Sequence, residues 1–187
     1  MIVLRQLCEK DAEYMLEWMH DPETQKCFQK DMMGVMLEDA RCFCKEAGMN
    51  TELHQGQSLH LAIADEKDEY LGTISLKNLN LEYRSAEFAI SLRKMARGQG
   101  VAVEAVQILL KKGFEELGLH RIYLTVLANN IAAIKLYEKC GFTYEGEMRD
   151  HIFKCGKYIS WKLYGMLEDE YEKKLLGHNN YNKMNGN

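Results

Sequence analysis

The sequence contains a single proline, Pro22, and no stretch approaching the roughly 18 consecutive apolar residues that a membrane-spanning helix needs. Basic residues do not gather into runs. The 24 lysines and arginines are outnumbered by 28 acidic residues, for a net charge of −4, which leaves no basic patch of the kind that binds nucleic acid or lipid headgroups. The six cysteines (Cys8, Cys27, Cys42, Cys44, Cys140 and Cys155) include no CxxC pair, and no histidine stands at zinc-ligand spacing beside them. Cys42 and Cys44 lie two apart, a spacing that points to different faces of a helix. Neither a metal site nor a disulfide framework is therefore expected. The first residues, MIVLRQLCEKDAEYM, lack the apolar segment of a signal peptide. These absences lead to an expectation of a cytoplasmic protein with no nucleic-acid or membrane partner.

What is present is a chain of 187 residues, 47% hydrophobic, enough for one sizeable core. Residues 1–168 read as one domain, and the polar, aperiodic residues 169–187 as a poorly ordered tail. IVLRQL reads as a strand, and Asp11 as the N-cap of a helix reaching Trp18. A second helix spans about Leu37 to Ala47, and the polar stretch GMNTELHQGQ reads as a loop. SLHLAIA and YLGTISLKN form a hairpin about a charged turn. SAEFAISL alternates, with Ala86, Phe88, Ile90 and Leu92 on one face and Glu87, Ala89 and Ser91 on the other. From Ala102 to Leu117 apolar residues recur at helical spacing, RIYLTVL is strongly β-forming, and a helix from about Asn130 to Lys139 stops at Gly141. FTYEGEMRDHIF and KYISWKLYGML close the domain as a hairpin around Cys155-Gly156. The pattern is α/β in the α+β sense, with helices inserted among mostly antiparallel strands.

Two motifs carry chemistry. The first is Arg97-Gly98-Gln99-Gly100-Val101-Ala102, where a strand hands over to a helix. The first-turn N–H groups of that helix have no intrahelical partner. Glycines remove the Cβ atoms that would hold a phosphate away, and the peptide dipoles favour an anion. No Gly-Lys-Ser/Thr follows, so this is not a P-loop, and Val103 occupies the place of the third glycine in a dinucleotide fingerprint. By itself the stretch is equally an ordinary turn that needs glycine for backbone reasons.

The second motif, VLANNIAAIKLYEKCGF, lies one strand later and contains Asn130, Ala133, Tyr137, Lys139 and Gly141-Phe142. In that order and spacing the pair resembles the GNAT superfamily of acetyl-CoA-dependent N-acetyltransferases. The resemblance runs from about Leu4 to Leu167 and is nearest the branch of ribosomal-protein-alanine, spermidine and amino-sugar acetyltransferases. It implies the GNAT fold: a central mixed, mostly antiparallel twisted sheet of six to seven strands, flanked by about four helices, with strands 4 and 5 splayed apart.

The resemblance also implies roles. Arg97, Gly98, Gln99, Gly100, Val101 and Ala102 would bind the CoA pyrophosphate, largely through backbone N–H groups. Ser91 and Leu92, at the end of the strand before them, would pair with the pantetheine arm. Asn130 would contact the pantetheine side, and Tyr137 would lie near the thioester sulfur. An alkylamine has a pKa near about 10 and arrives protonated, so a base must take its proton, while the departing thiolate, near about 8.5, needs a donor. Tyr137 is the expected general acid, and a backbone N–H near Leu92 the oxyanion donor. Glu87, on the strand beside the cofactor channel, is the candidate base. Its alternative is a salt bridge with Arg84 or with a basic residue on a neighbouring strand. Tyr137 could likewise be a core residue with a satisfied hydroxyl. Trp18 and the residues beyond it would wall the acceptor side.

The acceptor expected is a protein N-terminal amine or a small-molecule amine, with an amino sugar or a polyamine as alternative. The region from Trp18 to Ala47 is modestly acidic for a polyamine site. His20 stands where amino-sugar members often have asparagine before Asp-Pro. Two other classes stay open: a non-catalytic CoA-binding regulatory module, and a phosphate-binding enzyme unrelated to acyl transfer. A monomer or homodimer is expected.

Overall fold

In the computed structural model, which describes residues 1–28, 30–49 and 53–184, seven strands form one sheet. They are β1 (Ile2–Gln6), β2 (Leu59–Asp65), β3 (Tyr70–Asn80), β4 (Ser85–Leu92), β5 (Arg121–Leu127), β6 (Thr143–Lys154) and β7 (Lys157–Leu167), in the order β1-β2-β3-β4-β5-β7-β6. Every neighbouring pair is antiparallel except β4 and β5, which run parallel. That exception is where the sheet opens. β4 pairs with β5 only through Ser85, Ala86 and Glu87, opposite Arg121, Ile122 and Tyr123. Beyond Glu87, β4 stays with β3 as far as the Gly72–Leu92 pair, while β5 follows β7 along its whole length. The mixed, splayed sheet expected from the sequence is thus the sheet found.

The helices are α1 (Ala12–Met19), a single turn α2 (Pro22–Gln25), α3 (Leu37–Met49), α4 (Val101–Lys111), α5 (Ile131–Cys140) and α6 (Glu168–Met184). Alternation along the strands divides the interior. Leu59, Leu61, Ile63, Ile74, Leu76, Phe88, Ile122 and Leu124 bury one sheet face with Ala105, Val106 and Leu109 of α4 and Ile134 of α5. On the opposite face Ala62 and Tyr70 pack with Met15 and Trp18 of α1 and Ala40 and Cys44 of α3. Arg93, just past β4, ties the layers together. Its guanidinium meets Glu17 of α1 at 2.7 Å, Glu69 and the Tyr70 carbonyl at 2.8 Å, and lies over the Tyr14 ring. The closing turn has Cys155 and Gly156 both at positive φ, 51° and 76°, as a two-residue turn matched to strand twist requires.

In the segment after Leu167, where a poorly ordered tail was expected, residues 168–184 are helical. Three acidic residues fill the first turn of α6, where the dipole favours them, and Glu170 accepts from the Leu167 N–H at 2.9 Å. Tyr171 stacks on Phe114 at 4.9 Å between ring centroids and donates to Glu115 at 2.7 Å, and Lys174 donates to the Cys140 carbonyl at the end of α5. This segment carries little apolar periodicity, which is why it read as a tail. Residues 50–52 of the expected loop and 185–187 of the expected tail lie outside the described residues.

Tyr171→Ala should lower the unfolding free energy by about 3 kcal/mol, the usual cost of truncating a buried aromatic, as read from urea denaturation. A change below about 0.5 kcal/mol, typical of a surface substitution, would mean that α6 does not dock.

Candidate active site

The splay exposes backbone. The Arg93 N–H donates to the Leu71 carbonyl at 2.9 Å, so by strand alternation the amides of Leu92 and Ile90 point the other way, into the gap left by β5. Gly72 lets the strands approach at this point, since a Cβ there would stand 2.2 Å from the Ser91 carbonyl oxygen. Unpaired N–H groups beside an opening in a sheet are suited to an extended ligand or to an oxygen that gains charge.

A cavity of about 600 Å³ occupies the region. Among the residues singled out from the sequence, Glu87, Ser91, Asn130 and Tyr137 line it, whereas Leu92 and the turn 97–102 do not. Tyr137 is 8% exposed and set edge-on to Phe88 and Phe142, at centroid distances of 5.8 and 6.0 Å. Burial, with a smaller contribution from Cys140, pushes its phenol well above the ordinary tyrosine range, so it stays protonated and available as a donor. Asn130 caps α5, its Oδ1 accepting from the Ala133 N–H at 3.2 Å, which turns the amide toward the helix while the residue remains on the cavity wall.

The turn before α4 has the backbone of a cradle. Gly98 and Gly100 lie at φ 75° and 82°, and no atom lies within 4 Å of where a Cβ would project from either. Gly100 is the N-cap, without a side chain to satisfy the first-turn amides of Val101, Ala102 and Val103. Gln99 donates back to the Met95 carbonyl at 2.7 Å. The Arg97 side chain is held by neighbouring acceptors. Its Nε and Nη2 donate to the Leu92 carbonyl at 3.2 and 2.9 Å, Nη1 pairs with Asp21 at 3.2 Å, and Nη2 also reaches Thr24 at 2.6 Å. The guanidinium joins the end of β4 to α2 because those acceptors lie within its reach.

Glu87 adopts the alternative role. Oε1 accepts from Lys77 on β3 at 2.9 Å and Oε2 from Asn78 at 3.2 Å, so both carboxylate oxygens are engaged; Arg84 pairs with Glu168 instead. On the same wall are two residues the sequence reading passed over. His60 of β2 and Ser75 of β3 are cross-strand partners, with Nδ1 and Oγ 2.7 Å apart. The edge of the imidazole meets Phe43 at 5.0 Å. The signal was the alternation of SLHLAIA, which puts His60 opposite the Leu59, Leu61, Ile63 face. Burial first, and the charge of Lys77 second, hold the His60 pKa below its ordinary value. The remaining wall comes from α1 and the segment after it: Trp18 stacks on Phe28 at 5.5 Å and donates to the Tyr70 hydroxyl at 3.0 Å, and that hydroxyl lies 2.6 Å from Thr73 Oγ1. Among the described residues no group of three or more acidic, histidine or cysteine side chains could hold a metal ion. No described helix is long and apolar enough to cross a membrane.

A family model described as an acetyltransferase (GNAT) domain matches residues 2–143. The chain belongs to the GNAT acetyltransferase family. This GNAT chain is 33% identical over 122 residues to the spermidine N(1)-acetyltransferase of Vibrio cholerae, covering 65% of the chain and 70% of that protein. It is 30% identical over 171 residues to the uncharacterized N-acetyltransferase p20 of Bacillus licheniformis, covering 91% and 94% respectively. Among solved structures it resembles the Vibrio cholerae spermidine N-acetyltransferase in complex with CoA and spermine, with a TM-score of 0.80, 25% identity, and coverage of 91% of this chain and 97% of that one. The resemblance read from the two motifs therefore holds at the level of family, fold and N-acetyltransferase activity.

The His60 environment has a measurable consequence. Because its folded pKa is depressed, the unfolded chain binds the proton more readily, so stability should decline as pH falls from about 6.5 through the folded pKa and level off above about 6.5. In Lys77→Met, which removes a cation and leaves the Glu87 charge uncompensated, the imidazole NMR titration should move upward. An unmoved titration would remove Lys77 as a cause.

Proposed function

We propose that this chain transfers acetyl from acetyl-CoA directly to a primary amine in a ternary complex, the acceptor being a protein N-terminal amine or a small-molecule monoamine. The observation that carries the reading is the joining, at one opening in the sheet, of unpaired β4 amides, a buried protonated tyrosine and a cavity with a separate acceptor wall. The residues fit the donor. The amides of Val101 to Val103, with Gly98 and Gly100 leaving room, would hold the pyrophosphate as a helix N-terminus holds an anion. The amides at Ile90 and Leu92 would pair with the pantetheine arm or receive the carbonyl oxygen as charge develops on it. Acetyl-CoA supplies an activated acyl group with a thiolate leaving group. Tyr137 would give its proton to that sulfur, and Asn130 would border the pantetheine side. Arg97 is read as bracing the cradle against Asp21 and Thr24 rather than as touching phosphate.

Charge favours a monoamine. The acidic residues on the cavity wall are Asp39 and Glu87, and Lys30 and Lys77 stand against them. Asp39 is partly occupied, since its Oδ2 accepts from the Met36 N–H at 3.0 Å. A polyamine carries several positive charges and would meet no net negative lining among the described residues. Relatives named for spermidine acetylation nevertheless make a polyamine the second reading. The scattered cysteines, each free, suit a cytoplasmic setting.

The test is release of CoA thiol from acetyl-CoA across peptides, monoamines, amino sugars and polyamines. A peptide or monoamine should give the highest kcat/KM, spermidine leading would favour the second reading, and binding without turnover on any acceptor would indicate a regulatory module. Tyr137→Phe should reduce kcat by about a hundred-fold or more with acetyl-CoA affinity nearly unchanged; equal loss of both would make Tyr137 a packing residue. Gly100→Val should raise the acetyl-CoA Kd, by placing a branched side chain at φ 82° beside the first-turn amides. An unaltered Kd would remove the cradle from the site.

A further inference from the structure

Both oxygens of Glu87 already accept a hydrogen bond, from Lys77 and from Asn78, and a second group on the same wall is placed to take the acceptor's proton. The register indicates where. Ser75 is paired with His60 on one side and with Ala89 on the other, so the three form one row across β2, β3 and β4. Ala89 lies two residues past Glu87, the last β4 residue paired with β5, so the row ends where the sheet begins to open. His60, Ser75 and Ala89 all line the cavity, with Ser91 on the same β4 face and Tyr137 across the opening. Ser75 is only 4% exposed.

We infer that Ser75 and His60 form a proton relay for the acceptor amine, Ser75 Oγ touching the nitrogen and His60 receiving the proton at Nδ1. The inference rests on the acetyltransferase reading and assigns that reaction a step it otherwise lacks. Ser75 is then a catalytic residue, and His60, acting through it, a positioning residue and proton store. With the imidazole proton on Nε2, Nδ1 is an acceptor for the Ser75 hydroxyl, which leaves Oγ free to accept from the ammonium.

The step balances. The ammonium gives one proton to Ser75 Oγ as the serine proton passes to Nδ1, and the imidazole becomes a cation. The freed lone pair forms the C–N bond, the C–S bond breaks with its electron pair going to sulfur, and Tyr137 protonates that sulfur. A second proton from the nitrogen restores Tyr137. The products are the acetamide, the thiol and one proton that His60 later releases to water.

The surroundings suit a base that begins neutral. The titratable and charged groups that line the cavity together with His60 are Asp39 from α3, Lys77 on β3, Glu87 on β4, Cys27 and Lys30 from the segment between α2 and α3, and Tyr137 from α5. Lys77 and Glu87 neutralise one another, and Phe43 covers the edge of the ring. Depression of the imidazole pKa keeps the acceptor lone pair in place at neutral pH.

The test compares wild type, His60→Gln, Ser75→Ala and Glu87→Gln on two acceptors of similar shape: an ordinary alkylamine, and an amine whose conjugate acid titrates below neutrality. Acetyl-CoA affinity and far-UV CD of each variant report the fold. For His60→Gln and Ser75→Ala, kcat with the alkylamine should drop by about a hundred-fold at neutral pH, recover as pH rises toward the amine's own pKa of about 10, and change little with the weakly basic amine. In a further variant, His60→Ala, imidazole in the assay should restore part of the activity. Without turnover, the wild-type His60 NMR titration should shift when Ser75 is replaced by alanine.

Equal loss on both amines, an unchanged pH profile, or loss of the acidic limb in Glu87→Gln alone would overturn the relay while leaving the acetyltransferase reading intact. If wild type releases no thiol with any amine, that reading itself fails and the relay with it.

Discussion

The constraint from which the site follows is the abrupt end of pairing between β4 and β5. Three residue pairs join the two strands, after which each follows its other neighbour. In a parallel pair flanked by antiparallel ones, nothing obliges the ladder to continue once the twists of the two half-sheets diverge. The result is a row of backbone donors held rigidly by β3 on one side and facing an opening on the other. Such groups are costly to leave buried and unmatched, so an opening lined with them is suited to a ligand that supplies acceptors.

The surrounding elements bring chemistry to that opening from different directions. α5 contributes Tyr137 from the layer that packs with α4, and the capping of its first turn by Asn130 fixes the phase of the helix. Lys174 of α6 holds the last turn of α5 through the Cys140 carbonyl, so the helix bearing Tyr137 is tied at both ends. From the other face α1 and α3 close the cavity. Arg93 fixes α1 against the start of β3, and Arg97 fixes α2 against the end of β4. Both walls of the cavity are thereby built on rigid elements, as the proposed transfer between two bound substrates requires.

Much of this was legible in the sequence because it depends on local rules. Alternation in SAEFAISL separated Phe88 from Glu87, the glycines of RGQGVA marked the turn into α4, and the helix read from about Asn130 to Lys139 is α5. What could not be read depended on partners distant in sequence. Lys77 and Asn78 on the two oxygens of Glu87, and Asp21 and Thr24 around Arg97, the last two more than 70 residues away from it, leave no local pattern in the sequence. His60 and Ser75 gave only the weak signal of sharing the polar face of a hairpin. The sequence of α6 shows little apolar periodicity, so it read as a tail.

The most direct measurement of the central claim, that the β4–β5 opening and the α4 turn together form the donor site, is amide hydrogen exchange with and without acetyl-CoA. The account predicts slowed exchange at Ile90, Leu92 and residues 101–103, with α6 and the β6–β7 hairpin unchanged. Protection confined to other segments, or none at saturating acetyl-CoA, would contradict it.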